Sequence, residues 1–483
     1  MNPSTSLVRV LSLALGTALL APLATTQITP GNLVVLRVGD GTAALSNAAT
    51  ADFYDEYTSS GAFVQTIALP TAVSGSHRRV VVSGSATSEG ILTQSVDGRF
   101  LISVGYDAAL GTASVVSTTS ATANRVVARV AIATEAIDSS TALADAYSGN
   151  NLRSATSVDG SAFWTAGTSS TSGSVRHAAL GATSSTQLAT NLTNVRVVNV
   201  FDGQLYCSSS SGAFLGVSTV GAGTPTTSGQ TITLLPGFGA AGTSSYDFFL
   251  ADANTLYVAD DRVSGGNGGI QKWLLIGGTW TYQYTLSTLA TVGCRGLSGE
   301  VVGGVATLYA TTTDNKLVTV TDLGAGSPVT VLVTGATNTA LRGVRLVRCP
   351  SVNTEFFGSG TPHTGGTPTI GAVAPFTMGA STGVTANGML ANDVAIFLAG
   401  IRIPPVDLST SGAPLGTELH LFLLDYAGLA TDPSGAATWP LVVPTSSALC
   451  GGELSWQLMQ IDFGMSAALP LAVSGGMTTR FGI

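Results

Sequence analysis

The segment NVRVVNVFDGQLYCS (194–208) carries the pattern that decides the fold: an extended stretch, a tight turn centred on Gly203, and then an apolar and aromatic strand. The same pattern recurs as GILTQSVDGRFLIS (90–103), NLRSATSVDGSAFWT (151–165), SYDFFLADANTLYVA (245–259) and CRGLSGEVVGGVATLYA (294–310). Strand-built repeats with a period of roughly 40 to 60 residues are typical of a β-propeller. The sequence therefore predicts an all-β fold whose first domain, residues 27–357, is a propeller.

The two ends of this domain complement each other. Each unit is followed by a second hairpin, such as GIQKWLLIGGTWTYQYTLS (269–287), which makes four strands per blade. Near the N-terminus, LVVLRV (33–38) and ADFYDEYTSSGAFVQTIALP (51–70) lack an inner strand, whereas LRGVRLV (341–347) is an inner strand without a following hairpin. We expect these segments to pair into one shared blade, giving six blades and no exposed sheet edge. A seventh blade follows if residues 351–357 add strands.

A second domain is predicted beyond the propeller. The Gly-, Pro- and Thr-rich segment GSGTPHTGGTP (358–368) is typical of a linker. After it, VAIFLAG (394–400), LHLFLLD (419–425) and LSWQLMQID (454–462) indicate strands separated by Pro and Gly. Residues 369–483 are expected to form a small β-sandwich.

Composition narrows the class of protein. The 483 residues are 45% hydrophobic and 10% charged, with 59 glycines and a net charge of −8, so a basic face for nucleic acid is not expected. Residues 1–26 are predicted to be a secretory signal peptide, because Arg9 precedes the apolar run VLSLALGTALLA (10–21). No later apolar run reaches about 18 residues, so no membrane span is expected in the mature chain. These features predict a secreted or cell-surface protein, and no cofactor.

Three long segments carry a resemblance: ATSEGILTQSVDGRFLISVGYDAALGTASVVSTTSA (86–121), ANTLYVADDRVSGGNGGIQKWLLIGGTWTYQYTL (253–286) and GCRGLSGEVVGGVATLYATTTDNKLVTVTDLG (293–324). They resemble a functionally uncharacterised family of secreted bacterial β-propeller proteins. The C-terminal part is similar to a β-rich domain found at the ends of secreted proteins of planctomycetes. The resemblance implies fold and export but no catalytic residue. More distantly, six-bladed propellers include calcium-dependent lactonases and esterases.

Several short motifs lack the context that their chemistry needs. GFGAAG (237–242) and GASTG (379–383) match a dinucleotide loop and a nucleophile elbow, but the sequence predicts no helix after either. The oxygen-rich loop DDRVSGGNGG (260–269) lacks the D-x-D spacing of calcium loops and is interpreted as a plain hairpin connection. The four histidines are far apart, and the four cysteines form no C-x-x-C pair; no metal site is predicted, and the cysteine pairing is left open.

One constellation of charges stands out in a chain with 19 Lys plus Arg. The inner strands begin SEGIL, NLRSA, NVRVV, SYDFF, GCRGL and ALRGV, and each carries a charged residue at an equivalent place, namely Glu89, Arg153, Arg196, Asp247, Arg295 and Arg342. Inner strands line the channel of a propeller, so these side chains are expected to converge on one channel mouth. Guanidinium forks bind carboxylates and phosphates, which predicts a site for a small anionic or polyhydroxylated ligand. The alternative is that arginines pair with the acids or bond to backbone carbonyls of the blades.

Three functions follow from these observations. The first is a secreted, non-catalytic propeller that binds a small molecule or an extracellular partner at the channel mouth. The second is a hydrolase of the six-bladed lactonase or esterase type, which would need a cage of acidic and amide oxygens around calcium. The third is a structural subunit of an extracellular assembly.

Overall fold

The computed structural model describes residues 27–169, 174–239, 243–263, 267–286, 292–444 and 449–482. The predicted signal peptide, 1–26, lies outside the described residues. Within them the chain is all-β: the regular elements are strands, apart from two short 3₁₀ turns at Val115–Ser117 and Ser409–Ser411. In this part of the chain no helix is long and apolar enough to cross a membrane.

The strands follow one another in short hairpins. The first sixteen are β1 (Leu33–Val38), β2 (Ala49–Tyr57), β3 (Phe63–Ala68), β4 (Val81–Ser83), β5 (Thr93–Gln94), β6 (Phe100–Tyr106), β7 (Arg125–Ala131), β8 (Ile137–Leu143), β9 (Leu152–Thr156), β10 (Ala162–Gly167), β11 (Val175–Ala179), β12 (Thr186–Gln187), β13 (Val197–Phe201), β14 (Gln204–Ser211), β15 (Phe214–Val220) and β16 (Ile232–Leu234).

The remaining strands are β17 (Ser245–Asp252), β18 (Thr255–Asp260), β19 (Gly269–Ile276), β20 (Thr279–Leu286), β21 (Cys294–Val302), β22 (Val305–Thr312), β23 (Lys316–Thr321), β24 (Val329–Thr334), β25 (Ala340–Leu346), β26 (Asn353–Phe357), β27 (Thr369–Ala372), β28 (Ser381–Asn387), β29 (Val394–Asp407), β30 (Glu418–Ala430), β31 (Ala437–Val442), β32 (Glu453–Ile461) and β33 (Leu471–Arg480).

The predicted turns set the hairpins. Asp202 and Gly203, between β13 and β14, both have left-handed backbone angles, with φ of 46° and 72°. Gly303 and Gly304 make the equivalent turn between β21 and β22, with φ of 59° and 82°. Two consecutive positive φ values define the type I′ turn, whose twist matches that of antiparallel strands. The pairs Asp202–Gly203 and Gly303–Gly304 therefore close their hairpins after two residues. At Gly98 and Gly160 only the glycine of the Asp-Gly pair has a left-handed φ, and the loop between the strands is longer.

Four separate four-stranded antiparallel sheets follow the repeats: β9–β12, β13–β16, β17–β20 and β21–β24. A nine-stranded sheet holds the other strands of the repeat region; it contains β5–β8 and the run β25-β1-β2-β3, which the short β4 bridges. In that run β25 pairs antiparallel with β1, with Leu346 opposite Leu33 and Ala340 opposite Val38. The expected pairing of the two distant segments is therefore present. We call β25-β1-β2-β3 the composite run.

Six strands begin these six groups: β25, β5, β9, β13, β17 and β21, here called the first strands. Each contacts the first strand of the next group, and β21 contacts β25. A separate cluster of buried apolar side chains lies between every two consecutive groups. The last cluster packs Tyr309 and Leu317 of the β21–β24 sheet against Leu33 and Val35 of the composite run.

The C-terminal domain is a pair of sheets. Its five-stranded sheet has the order β26-β33-β32-β29-β30, and its three-stranded sheet has the order β27-β28-β31. Side chains of both sheets form one core, which includes Val384, Phe397, Trp456 and Met477. The strands expected at 394–400 and 419–425 lie within β29 and β30, and the one expected at 454–462 corresponds to β32, which ends at Ile461.

The boundary between the domains differs from the expected one. Residues 353–357, placed in the propeller by the sequence, form β26 and pair with β33 of the C-terminal sheet. The segment 358–368 packs against this domain: Thr361 donates its backbone N–H to Val473 O at 2.8 Å, and the Nε2 of buried His363 lies 2.6 Å from Gly388 O. Composition alone could not separate the two cases, because Gly and Pro are common both in linkers and in loops that pack against a domain.

Candidate functional site

The six charged residues all lie near the N-terminal ends of the first strands. Arg153, Arg295 and Arg342 lie within β9, β21 and β25, and Asp247 lies within β17. Arg196 directly precedes β13, and Glu89 precedes β5. The contacts of their side chains then separate them into different roles.

Arg196 and Arg295 meet at an aromatic ring that the sequence did not single out. The guanidinium carbon of Arg196 lies 3.8 Å from the centroid of the Tyr246 ring, and that of Arg295 lies 5.5 Å from it. Asp261 reaches both: its carboxylate is 3.4 Å from Arg295 Nη2 and 4.0 Å from Arg196 Nη1. In the group β17–β20, Tyr246 therefore contacts the arginines, whereas the sequence predicted that Asp247 would do so.

Asp247 is directed elsewhere. It is fully buried, accepts a hydrogen bond from Leu297 N at 3.1 Å, and lies 3.4 Å from Arg345 Nη2. The strand pairing of β17 shifts register between Ser245 and Phe248, so a residue count along the strand does not predict which side chain joins the arginines. Burial raises the pKa of Asp247, and the Arg345 guanidinium opposes that effect.

Three arginines join neighbouring groups of strands. Arg342 donates from Nη2 to Gly84 O at 2.9 Å and from Nη1 to Ala86 O. Arg153 donates to Val195 O at 3.2 Å and to Asn194 Oδ1, and Arg196 donates to Ser245 O at 3.3 Å. Each therefore bonds to the chain that leads into the next group. This arrangement matches the alternative in which arginines bond to blade carbonyls.

Glu89 is enclosed. Its carboxylate accepts hydrogen bonds from Tyr106 OH at 2.6 Å, Asn151 Nδ2 at 2.7 Å and Ser83 N at 2.9 Å. The side chain is buried, and this desolvation raises its pKa despite the three donors. With three donors already bound, Glu89 has little capacity left for a ligand.

Among the six charged residues, two buried donors have no partner within the described chain: the Nε atoms of Arg153 and Arg295. Desolvation lowers the pKa of Arg153, and the nearby positive charge of Arg196 lowers it further. Desolvation also lowers the pKa of Arg342, to about 10, and Arg295 contributes to that shift. Arg153 thus interacts electrostatically with Arg196, and Arg342 with Arg295. We call Arg153, Arg196, Arg295 and Arg342 the arginine cluster.

Charges in the cluster do not cancel. Four guanidinium groups face the carboxylates of Asp261 and Glu89, and Glu89 is already enclosed by its own donors. Buried hydrogen-bond donors without partners are costly, and a surplus of positive charge raises the local concentration of anions. The arrangement is chemically suited to a small anion that accepts from guanidinium groups.

The rejected motifs have no catalytic setting in the structure. Ser381 of GASTG begins strand β28, with no helix after it. Residues 240–242 of GFGAAG lie outside the described residues. Asp260 is paired with Arg262 Nη2 at 2.8 Å. Among the described residues, no group of three or more His, Cys, Asp or Glu side chains could hold a metal ion.

Histidines and cysteines have structural surroundings. His177 lies on β11, and the centroid of its ring is 5.3 Å from that of the Trp164 ring. Burial lowers the pKa of His177. Cys207 and Cys294 are buried and free. Cys349 and Cys450 form a disulfide, which the sequence left open; it joins the end of the repeat domain to the C-terminal domain.

Comparisons with protein-family models and with curated proteins find no match. Among solved structures, the chain is similar to the Bacteroides ovatus xyloglucan PUL protein GH43B, with 10% identity, 95% of this chain and 94% of that chain covered, and a TM-score of 0.29. It is also similar to the WD40 domain of SCAP from fission yeast (10% identity, 85% and 96% covered, TM-score 0.29) and to apo AztD from Citrobacter koseri (9%, 85% and 98%, TM-score 0.28). Scores this low assign neither a family nor a function.

Proposed function

We propose that the chain is an exported, non-catalytic β-propeller that binds a small anion at the arginine cluster. In this proposal the six groups of strands are six blades, and the β25–β1 pair closes the ring. The closing of the ring is supported by the contacts among the six first strands and by the apolar clusters between consecutive groups, the last of which returns to the composite run. Closure would bring the N-terminal ends of the first strands to one mouth of a central channel.

The observation that carries the anion site is the pair of unpartnered buried Nε atoms of Arg153 and Arg295. A carboxylate or phosphate whose oxygens reached these atoms would satisfy the donors and offset part of the positive excess. Tyr246 adds an aromatic wall that holds two of the guanidinium groups in place. Four cations at this mouth disfavour a central calcium ion, so the lactonase-type alternative gains no support from the cluster.

Export is supported by the Cys349–Cys450 disulfide, because such bonds persist in oxidising compartments. This agrees with the signal peptide that the sequence predicts. The resemblance to secreted bacterial propellers is likewise part of the proposal. Mass spectrometry of protein recovered from the medium, under non-reducing conditions, would report both the cleavage site and the disulfide.

Isothermal titration calorimetry with inorganic phosphate and with citrate tests the anion site. The double variant Arg153→Ala with Arg295→Ala should weaken binding at least about 100-fold, since each charge-assisted hydrogen bond contributes about 1.5–3 kcal/mol. Arg402→Ala is the control, because that exposed arginine lies over an aromatic ring, Phe357, as Arg295 lies over Tyr246, but belongs to the C-terminal domain. Absence of binding by either anion, or equal binding in the double variant, would contradict the proposal.

A further inference from the structure

A second site lies at the opposite, C-terminal ends of the first strands. Two adjoining cavities of about 540 and 350 Å³ occupy this region, and both are lined by Phe201, Phe249, Leu346 and Arg348. Met378 and Cys450 of the C-terminal domain complete the wall of the larger one. Cavities of this size at a junction between domains are typical places for small ligands.

A disulfide and a pair of hydrogen bonds hold the walls of the cavities in place. The disulfide between Cys349 and Cys450 ties the two domains together at the rim of the larger cavity. Gln94 clamps the backbone of Arg348 from both sides: its Oε1 accepts from Arg348 N at 2.9 Å, and its Nε2 donates to Arg348 O at 2.9 Å. The site therefore does not depend on a mobile loop for its shape.

The Arg348 side chain is available to a ligand. It is exposed, and its guanidinium carbon lies 5.5 Å from the centroid of the Phe249 ring. Its Nη2 donates to Gly299 O at 3.2 Å, and no acceptor among the described residues binds its Nε or Nη1. Arg348 forms no ion pair with a described carboxylate within 4.0 Å, so two directed donors are left at the junction of the cavities.

The surrounding charges argue against a simple anion here. Glu300 lines the larger cavity, Asp202 lines the smaller one, and the ion pair of Arg345 with Asp247 at the back is neutral as a unit. A site with one free guanidinium and two carboxylates presents both donors and acceptors without an excess of positive charge. Neutral hydroxyl groups, which donate and accept, satisfy both kinds of group.

We propose that these cavities bind a neutral sugar, of the size of a mono- or disaccharide. The C–H face of a sugar ring packs on an aromatic side chain, here the half-buried Phe201, while planar polar groups at the edge bond to neighbouring hydroxyls. Arg348 would donate to two hydroxyl oxygens through Nε and Nη1, and Asn199, Asp202 and Glu300 would accept or donate around the ring. This ligand class differs from the anion proposed for the arginine cluster.

The purified full chain on an array of neutral and acidic oligosaccharides tests the inference. A neutral glycan should bind, and Arg348→Ala should weaken that binding at least about tenfold, because the cavity loses its two free donors. Phe201→Leu, which removes the aromatic face and keeps an apolar side chain, should have a comparable effect. It also keeps the test decisive if the arginine variant fails to fold. Arg402→Ala and the double variant at Arg153 and Arg295 should bind the glycan as the unchanged chain does.

Three results would overturn the proposal: no neutral glycan bound, binding unchanged in Arg348→Ala and Phe201→Leu, or binding of acidic glycans alone with loss in the double variant at Arg153 and Arg295. The last result would point to the arginine cluster instead. Failure of phosphate and citrate to bind that cluster would leave the sugar site untouched, so the two proposals fail separately.

Discussion

The two ends of the first strands differ in how they handle charge. At the N-terminal ends, Arg153, Arg196 and Arg342 bond to carbonyls, and two buried Nε atoms, those of Arg153 and Arg295, have no partner in the described chain. Towards the C-terminal ends, Arg345 of β25 is paired with buried Asp247 of β17, and the C-terminal domain is joined by a disulfide. The buried arginines at the N-terminal ends keep unsatisfied donors, whereas the buried guanidinium of Arg345 is neutralised by a carboxylate. The difference teaches that charged residues at equivalent places of a repeat can have different surroundings, because Asp247 forms a buried ion pair while the arginines keep free donors.

The largest effect is expected at the buried ion pair of Asp247 and Arg345. Asp247→Ala leaves Arg345 as a buried cation without its partner, which should cost about 3–5 kcal/mol of unfolding free energy. Urea unfolding measures the loss. The double variant Asp247→Ala with Arg345→Leu should recover a large part of it, because no charge is then left buried. A loss below about 1 kcal/mol in Asp247→Ala would show that the pair does not stabilise the fold.

The next largest effect is expected from the disulfide near the C-terminal ends of the first strands. Its cysteines are 101 residues apart in the chain, so the crosslink restricts a long loop of the unfolded state. Cys349→Ser with Cys450→Ser should lower the unfolding free energy by about 2–4 kcal/mol. Phosphate affinity at the arginine cluster should stay unchanged, since the crosslink lies at the other end. A change in that affinity of tenfold or more would mean that the two ends are coupled.

Arg342 and Arg295 form a matched pair within the N-terminal end. Arg342→Gln removes donors from Gly84 O and Ala86 O, leaving the buried Gly84 carbonyl unpaired, and should cost about 1–3 kcal/mol. Arg295→Gln removes a charge held by one long contact with Asp261 and should change stability by less than about 1 kcal/mol. Thermal unfolding of both variants measures the contrast. Equal losses would mean that all four arginines are structural.

The smallest effect is a pH dependence of the unfolding free energy that comes from one buried carboxyl group. Asp52 is fully buried, and neither carboxylate oxygen has a partner among the described residues. Desolvation, aided by Glu89, raises the pKa of Asp52 well above 3.8. The folded state thus favours the protonated form: its contribution to stability is complete below the unfolded pKa and is lost as the pH rises through the folded pKa.

Asp52→Asn removes this titration. Its unfolding free energy should therefore match that of the unchanged chain near pH 4 and exceed it by at least about 1 kcal/mol at pH 7. Urea unfolding across pH 4 to 8 measures the difference between the two proteins. An advantage of the asparagine variant that is the same at every pH would contradict the shift.

The sequence predicted the strands of the repeats because turn pairs such as Asp202–Gly203 and the alternation of apolar residues are local signals. It also predicted that residues 341–347 pair with 33–38, because the N-terminal segments lack an inner strand and 341–347 is an inner strand without a following hairpin. Tyr246 was missed because a register shift in β17 is invisible in a residue count. The sugar cavities were missed because their walls come from the ends of several strands and from a second domain.

The pairing of β25 with β1 has a consequence for how the chain is made. Strand β1 leaves the ribosome early, whereas its partner follows roughly 300 residues later, so the pair forms only near the end of synthesis. Until then the apolar edge at Leu33–Val38 has no native neighbour and is exposed to wrong partners. The edge of β1 that faces β25 is therefore where pairing with another chain would compete with native folding until the last strand of the repeat domain is made.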